Sequence, residues 1–139
     1  MPILRANPPT VIMWRATNAG QGFVGASALS EWVSTSTSSR IRLDMSRYRM
    51  ARIGVQLNAT FSANMIMAVQ YSANLVTPSW SYFDGNDGPK VSLFGTGAVM
   101  GNWAALAIAA RAEVIMRIVF RSGDDATTGT VANIFMELK

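Results

Sequence analysis

The sequence predicts an all-β domain, of the sandwich, jelly-roll or barrel kind, on three observations. Apolar and polar residues alternate over several short stretches, the period of a half-buried strand. Clusters of Asn, Asp, Gly, Ser and Pro separate those stretches and supply turns. Half of the 139 residues are apolar and only 14% are charged, a balance that suits a packed core and not a disordered chain. Many short strands divided by turns belong to these all-β architectures. The length allows one domain with a core of useful size.

Residues 1–25 read as an extended N-terminal arm. Pro2, Pro8 and Pro9 each remove a backbone donor and disfavour helix, and Gly20, Gly22 and Gly25 add backbone freedom. Inside the arm, Val11, Ile12, Met13 and Trp14 make an apolar run fit for an edge strand, lying on a neighbour or folded back. The sandwich itself is read as 26–139. Residues 30–33 are a short strand and 34–39 a polar loop. From 40 to 45 the alternation is clean: Ile41, Leu43 and Met45 point inward, Arg40, Arg42 and Asp44 outward. The same period returns in Ile53, Val55 and Leu57, and in Met65, Met67, Val69 and Tyr71. It returns again in Val114, Met116, Ile118 and Phe120, with Glu113, Arg117 and Arg121 opposite. Ala132, Ile134, Met136 and Leu138 form the last inward face.

Residues 103–111 admit two readings. Their alanines favour helix, and with Gly95, Gly97 and Gly101 before them they outline the strand, glycine loop and helix of a dinucleotide unit. The glycine spacing is one residue too long for that motif, and no repeated βαβ pattern surrounds it. The alternation of Trp103, Ala105, Ala107 and Ala109 against Ala104, Leu106, Ile108 and Ala110 also permits a strand.

With no His and no Cys, the usual general base, thiolate nucleophile, disulfide and Cys-based metal site are missing. The chain is not expected to be an enzyme or to carry a cofactor or metal. Asp84 and Asp87 sit in Asp84-Gly85-Asn86-Asp87-Gly88-Pro89, a turn composition. That loop departs from the EF-hand spacing and lacks its distal Glu, which leaves calcium binding open. The net charge is +4, and all basic residues except Lys90 and Lys139 are Arg. Arg40, Arg42, Arg47, Arg49 and Arg52 are close in sequence and suit flat contacts with carboxylates. No dense basic run predicts direct nucleic-acid binding. Arg111, Glu113 and Arg117 interrupt the most apolar span, so no membrane helix is expected. The N-terminus lacks the apolar core of a signal peptide. So thin a charge coat predicts surface covered by copies of itself or by a partner. Trp80, Tyr82 and Trp103 serve either as a stacking surface for sugars or as core and rim packing.

From residue 51 to 138 the chain resembles the jelly-roll proteins that decorate the capsids of tailed phages, known as cement, auxiliary or decoration proteins. The resemblance is carried by Arg52-Ile53-Gly54-Val55-Gln56-Leu57, by Val69-Gln70-Tyr71-Ser72 and by the aromatic turn Trp80-Ser81-Tyr82-Phe83-Asp84-Gly85. It continues in Gly101-Asn102-Trp103, in the Ala110-Arg111-Ala112-Glu113-Val114 strand with Arg117 within it, in Gly123-Asp124-Asp125 and in Ala132-Asn133-Ile134. These are packing and turn motifs, so they specify a fold more firmly than a role. The resemblance implies a jelly-roll β-sandwich of about eight antiparallel strands. It implies a structural virion protein bound to the outer capsid surface as a homotrimer, with the major capsid protein as partner. The expected contacts are Ile3, Leu4, Arg5 and Trp14 in the arm, which could add a strand to a neighbouring sheet, with Arg40, Arg42, Arg47 and Arg49. The alternative is a carbohydrate-binding β-sandwich module of a phage fibre or host-adhesion protein, using Trp80, Tyr82 and Trp103. The main coat of a small virus is a further rival. Its arm would normally be densely basic, and this one has only Arg5 and Arg15.

Overall fold

The computed structural model describes residues 10–15, 21–24, 30–31, 40–122 and 128–139, with side chains described over 40–56, 66–92, 98–120 and 134–139. Among them are ten strands: β1 Thr10–Arg15, β2 Gln21–Val24, β3 Ser30–Glu31, β4 Ile41–Asp44, β5 Met50–Ser72, β6 Ser81–Tyr82, β7 Lys90–Met100, β8 Ala104–Ala105, β9 Glu113–Ser122 and β10 Thr128–Leu138. One 3-10 turn, Ile108–Ala110, lies between β8 and β9. The described part of the 103–111 segment is therefore a two-residue strand and that turn. The α-helix of a dinucleotide unit does not form there.

The pairing is nested. β1 and β2 lie end to end along β10, with Thr10 opposite Leu138 and Val24 opposite Thr128. β3 and β4 lie end to end along β9, with Ser30 opposite Phe120 and Asp44 opposite Glu113. β5 is 23 residues long. Its first part pairs with β10, from Ala51 opposite Leu138 to Leu57 opposite Val131. Its last part pairs with β9, from Met65 opposite Ser122 to Ser72 opposite Ile115. β7 follows β5 along its length, from Gly54 opposite Met100 to Ala68 opposite Lys90, with register shifts between Leu57 and Met65. β8 and β6 extend the outer rows.

Two antiparallel four-row sheets result. The first holds β1/β2, β10, the start of β5, and the end of β7 with β8. The second holds β3/β4, β9, the end of β5, and the start of β7 with β6. The outermost chain segments pair with each other, then the next, then the innermost. This rolled order in eight rows is a jelly roll. β1 and β2 fall inside the 1–25 segment, and the apolar run from Val11 to Trp14 lies in the edge strand β1. Ile3, Leu4 and Arg5 lie outside the described residues, as does the side chain of Trp14.

The inward faces predicted by alternation form one core. Ala51, Ile53 and Val55 meet Leu138, Met136 and Ile134 across the first sheet, while Met67, Val69 and Tyr71 meet Phe120, Ile118 and Met116 across the second. All are buried, each contributing about 1.5–3 kcal/mol per large side chain removed from water. Ile41, Leu43 and Met45 also turn inward, as expected. The side chains of Leu57, Met65, Arg121 and Ala132 lie outside those described. Among the described residues no helix is long and apolar enough to cross a membrane.

Candidate functional site

Three loops meet at one end of the sandwich: residues 45–49 between β4 and β5, 73–89 around β6, and 101–112 around β8. Backbone hydrogen bonds tie them together. Met45 N–H donates to Ala112 O at 2.8 Å, Leu106 N–H to Arg49 O at 2.8 Å, and Ala107 N–H to Phe83 O at 2.7 Å. Phe83, Leu106 and Met45 plug the core beneath this cap, with the Phe83 ring 4.9 Å from that of Tyr71. Above the plug the cap displays apolar side chains: Val76 is 91% exposed and Ile108 is 85% exposed. Val76 is held out by an Asx turn, in which Asn74 Oδ1 accepts from the N–H groups of Val76 and Thr77. Ser72 Oγ fixes the same loop, accepting from Asn74 and Ser79 N–H.

The four arginines expected at an interface divide into two pairs. Arg47 and Arg49 lie exposed on the cap, and Arg49 Nη1 donates to the carbonyls of Ser46 and Tyr48. Next to them, the Ser46 N–H bonds the Asp44 carboxylate and holds its pKa below the usual range, helped by the Ser46 hydroxyl and by Arg47. Arg40 and Arg42 lie on the outer side of the second sheet. Arg42 pairs with Glu113 at 2.7 Å, both side chains more than half exposed.

The three candidate sugar-binding aromatics are also divided. Trp80 and Tyr82 belong to the outer face of the second sheet. The Arg40 and Arg117 guanidiniums lie 5.0 and 4.4 Å from the Trp80 ring. Tyr82 stands opposite Gln70, whose Oε1 accepts from Arg117 Nε and Nη2 at 2.9 and 2.7 Å. Trp103 belongs to the first sheet's outer side, 4.7 Å from the Arg52 guanidinium and 4.3 Å from the Lys139 ammonium. Arg52 in turn pairs with its cross-strand neighbour Glu137 at 2.6 Å. The three rings do not share one platform.

Trp103 instead lines a surface cleft of about 530 Å³ between the turn after β6 and the chain leaving β7. Asp84, Asp87, Lys90, Ser92 and Asn102 line it as well. Asp84 Oδ1 accepts from the Asn86 and Gly88 N–H groups, and Gly85 takes the left-handed φ of +75° that this turn requires. The Asp87 carboxylate pairs with Lys90. Among the described residues no group of three His, Cys, Asp or Glu side chains is placed to hold a metal ion. Sequence reading found the aspartates and Trp103 separately. It missed their convergence, and it missed the Arg52–Glu137 and Arg117–Gln70 contacts, because each joins residues far apart in the chain.

Comparison with known proteins found no matching family model and no matching curated protein. Solved structures of similar outline include the SPBc2 prophage-derived protein YomS, at 11% identity and TM-score 0.44, covering 99% of this chain and 100% of that one. The Eiger TNF of S. frugiperda aligns at 9% identity and TM-score 0.49, over 96% and 93% of the two chains. The carbohydrate-binding module CBM36, solved with calcium and xylotriose, aligns at 10% identity and TM-score 0.48, over 92% and 99%. Likeness at this level carries no activity across. The jelly-roll assignment stands on the nested strand order, and the molecule is an antiparallel β-sandwich.

Proposed function

We propose that the chain is a structural virion protein, a homotrimer seated on the outer surface of a viral capsid where it holds neighbouring major capsid proteins together. The observation that carries this reading is the cap. Its loops are pinned to one another by backbone hydrogen bonds and yet hold Ile108 and Val76 out in water. Apolar groups on pre-ordered loops lose little entropy when a partner covers them, so the burial goes into affinity. Arg47 and Arg49 on the same cap offer forked donors to carboxylates of that partner. The capsid enters through the resemblance carried by residues 51–138. In this proposal Ile3, Leu4, Arg5 and Trp14 add an extended contact, Arg40 and Arg42 contribute from the second sheet, and three copies bind by effective concentration. The role involves no reaction, no cofactor and no nucleic acid.

Light scattering on the purified chain, followed by co-sedimentation with capsids stripped of accessory proteins, tests it. The expected mass is near three times the chain's 15.0 kDa. Ile108→Asp is expected to weaken capsid retention by about tenfold or more, as loss of an interface anchor does. A monomer at every concentration overturns the trimer, and undiminished retention of Ile108→Asp overturns the cap as the contact surface.

A further inference from the structure

We infer that the cleft beside Trp103 binds a short, neutral saccharide. This stands on the cleft itself and does not depend on the capsid reading.

The cleft's size is that of small-ligand sites, a few hundred to a thousand Å³. Its walls are fixed before any ligand arrives. Gly101 passes so close to β7 that a Cβ there would lie 2.1 Å from the Lys90 carbonyl oxygen, and Gly101 N–H donates to Ile53 O at 2.8 Å. That backbone contact sets where Asn102 and Trp103 emerge. On the opposite wall, Asp84 is locked by two backbone N–H groups and Asp87 by Lys90.

The charges select the ligand. The carboxylate of Asp87 is balanced by Lys90, and the negative face of the indole already meets Arg52 and Lys139. A cationic ligand finds that π-system taken and two ammonium or guanidinium groups behind it. An anion meets the carboxylate of Asp84. A metal ion lacks a set of three suitable side chains among the described residues. A polyhydroxylated ring meets none of these objections. Its hydroxyls both donate and accept, matching the Lys90 ammonium, the Asn102 amide, the Ser92 hydroxyl and the spare carboxylate lone pairs. Its C–H groups can pack against the Trp103 side chain where it lines the cleft. Because the cleft is open, the expected Kd is on the order of 1 mM.

The test is NMR on the full-length ¹⁵N-labelled chain, titrated separately with cellotriose, maltotriose, chitotriose and calcium chloride. At least one sugar is expected to shift the Trp103 indole N–H saturably. Asn102→Ala, an exposed rim change that leaves the fold intact, is expected to weaken that sugar about fivefold, the loss of one good hydrogen bond. Trp103→Ala is expected to abolish binding, and Trp80→Ala to bind within about twofold of the parent because Trp80 lies outside the cleft. The inference is overturned if none of the three sugars moves the Trp103 signal. It is equally overturned if Asn102→Ala binds unchanged, if Trp80→Ala loses binding as fully as Trp103→Ala, or if calcium alone produces the same saturable shift.

Discussion

Trp80 and Trp103 each lie within 5.0 Å of two cationic groups, but one ring lies over a covered sheet and the other borders an open cleft. At Trp80, Arg117 is gripped by the neutral amide of Gln70, which is itself buried on the outer side of the second sheet. Ala68, Ser72 and Val119 on that same side are buried too, so the centre of this sheet is covered on both faces and Trp80 is part of the cover. At Trp103, Arg52 is gripped by the carboxylate of Glu137, and the ring borders an open cleft. The same cation–π motif thus closes a surface in one place and borders an open cleft in the other. Neighbouring loops decide whether the ring remains reachable.

Breaking the cleft wall has the largest expected effect. Gly101→Ala places a methyl group 2.1 Å from a backbone carbonyl that cannot swing aside, so a loss of about 3 kcal/mol or more is expected, read as a lower midpoint in urea. The Trp103 indole signal should move while that of Trp80 stays in place.

The two anchors can then be compared directly. Glu137→Gln removes the charge from a pair whose side chains are 31% and 19% exposed, and should cost about 1–2 kcal/mol, a partly screened charged hydrogen bond. Part of that cost should vanish at high salt, where Coulomb attraction is screened. Gln70→Ala should cost a similar amount, about 1–2 kcal/mol, by removing the acceptor for Arg117. Its loss should respond less to salt than that of Glu137→Gln, because the acceptor removed is neutral, and equal responses would overturn that expectation.

Arg42→Ala breaks an exposed pair and should change stability by no more than about 0.5 kcal/mol. A larger loss in thermal melts would mean that the outer side of the second sheet depends on Arg42 more than its exposure indicates. The smallest effect belongs to Asp44, whose carboxyl pKa is lowered by the Ser46 N–H. A group depressed on folding stabilises the native state above its unfolded value, and that contribution is lost as pH falls through its folded value. Asp44→Asn should therefore differ from the parent slightly at neutral pH and converge with it in acid, as followed by melting temperature against pH.

The sequence by itself determined the strands and their faces. Alternation at Ile53 and Val55, at Val114, Met116, Ile118 and Phe120, and at Ile134, Met136 and Leu138 is a local signal with a period of two residues. A buried sheet face enforces that signal residue by residue. The turn at 84–89 was legible for the same reason, since Asp84, Gly85 and Gly88 make their contacts within a few positions. Alanine content at 104–110 gave a signal for helix as well as strand. Tertiary structure decided against the helix, because Ala104 and Ala105 pair with β5 and Leu106 is drawn into the core. Only the tertiary structure set the rolled strand order, the meeting of three loops in one cap, and the choice of Glu137 for Arg52 and Gln70 for Arg117. Those partners are 85 and 47 residues apart, and no local pattern encodes which outward residue will lie opposite which. That depends on register, and register depends on how the whole core packs.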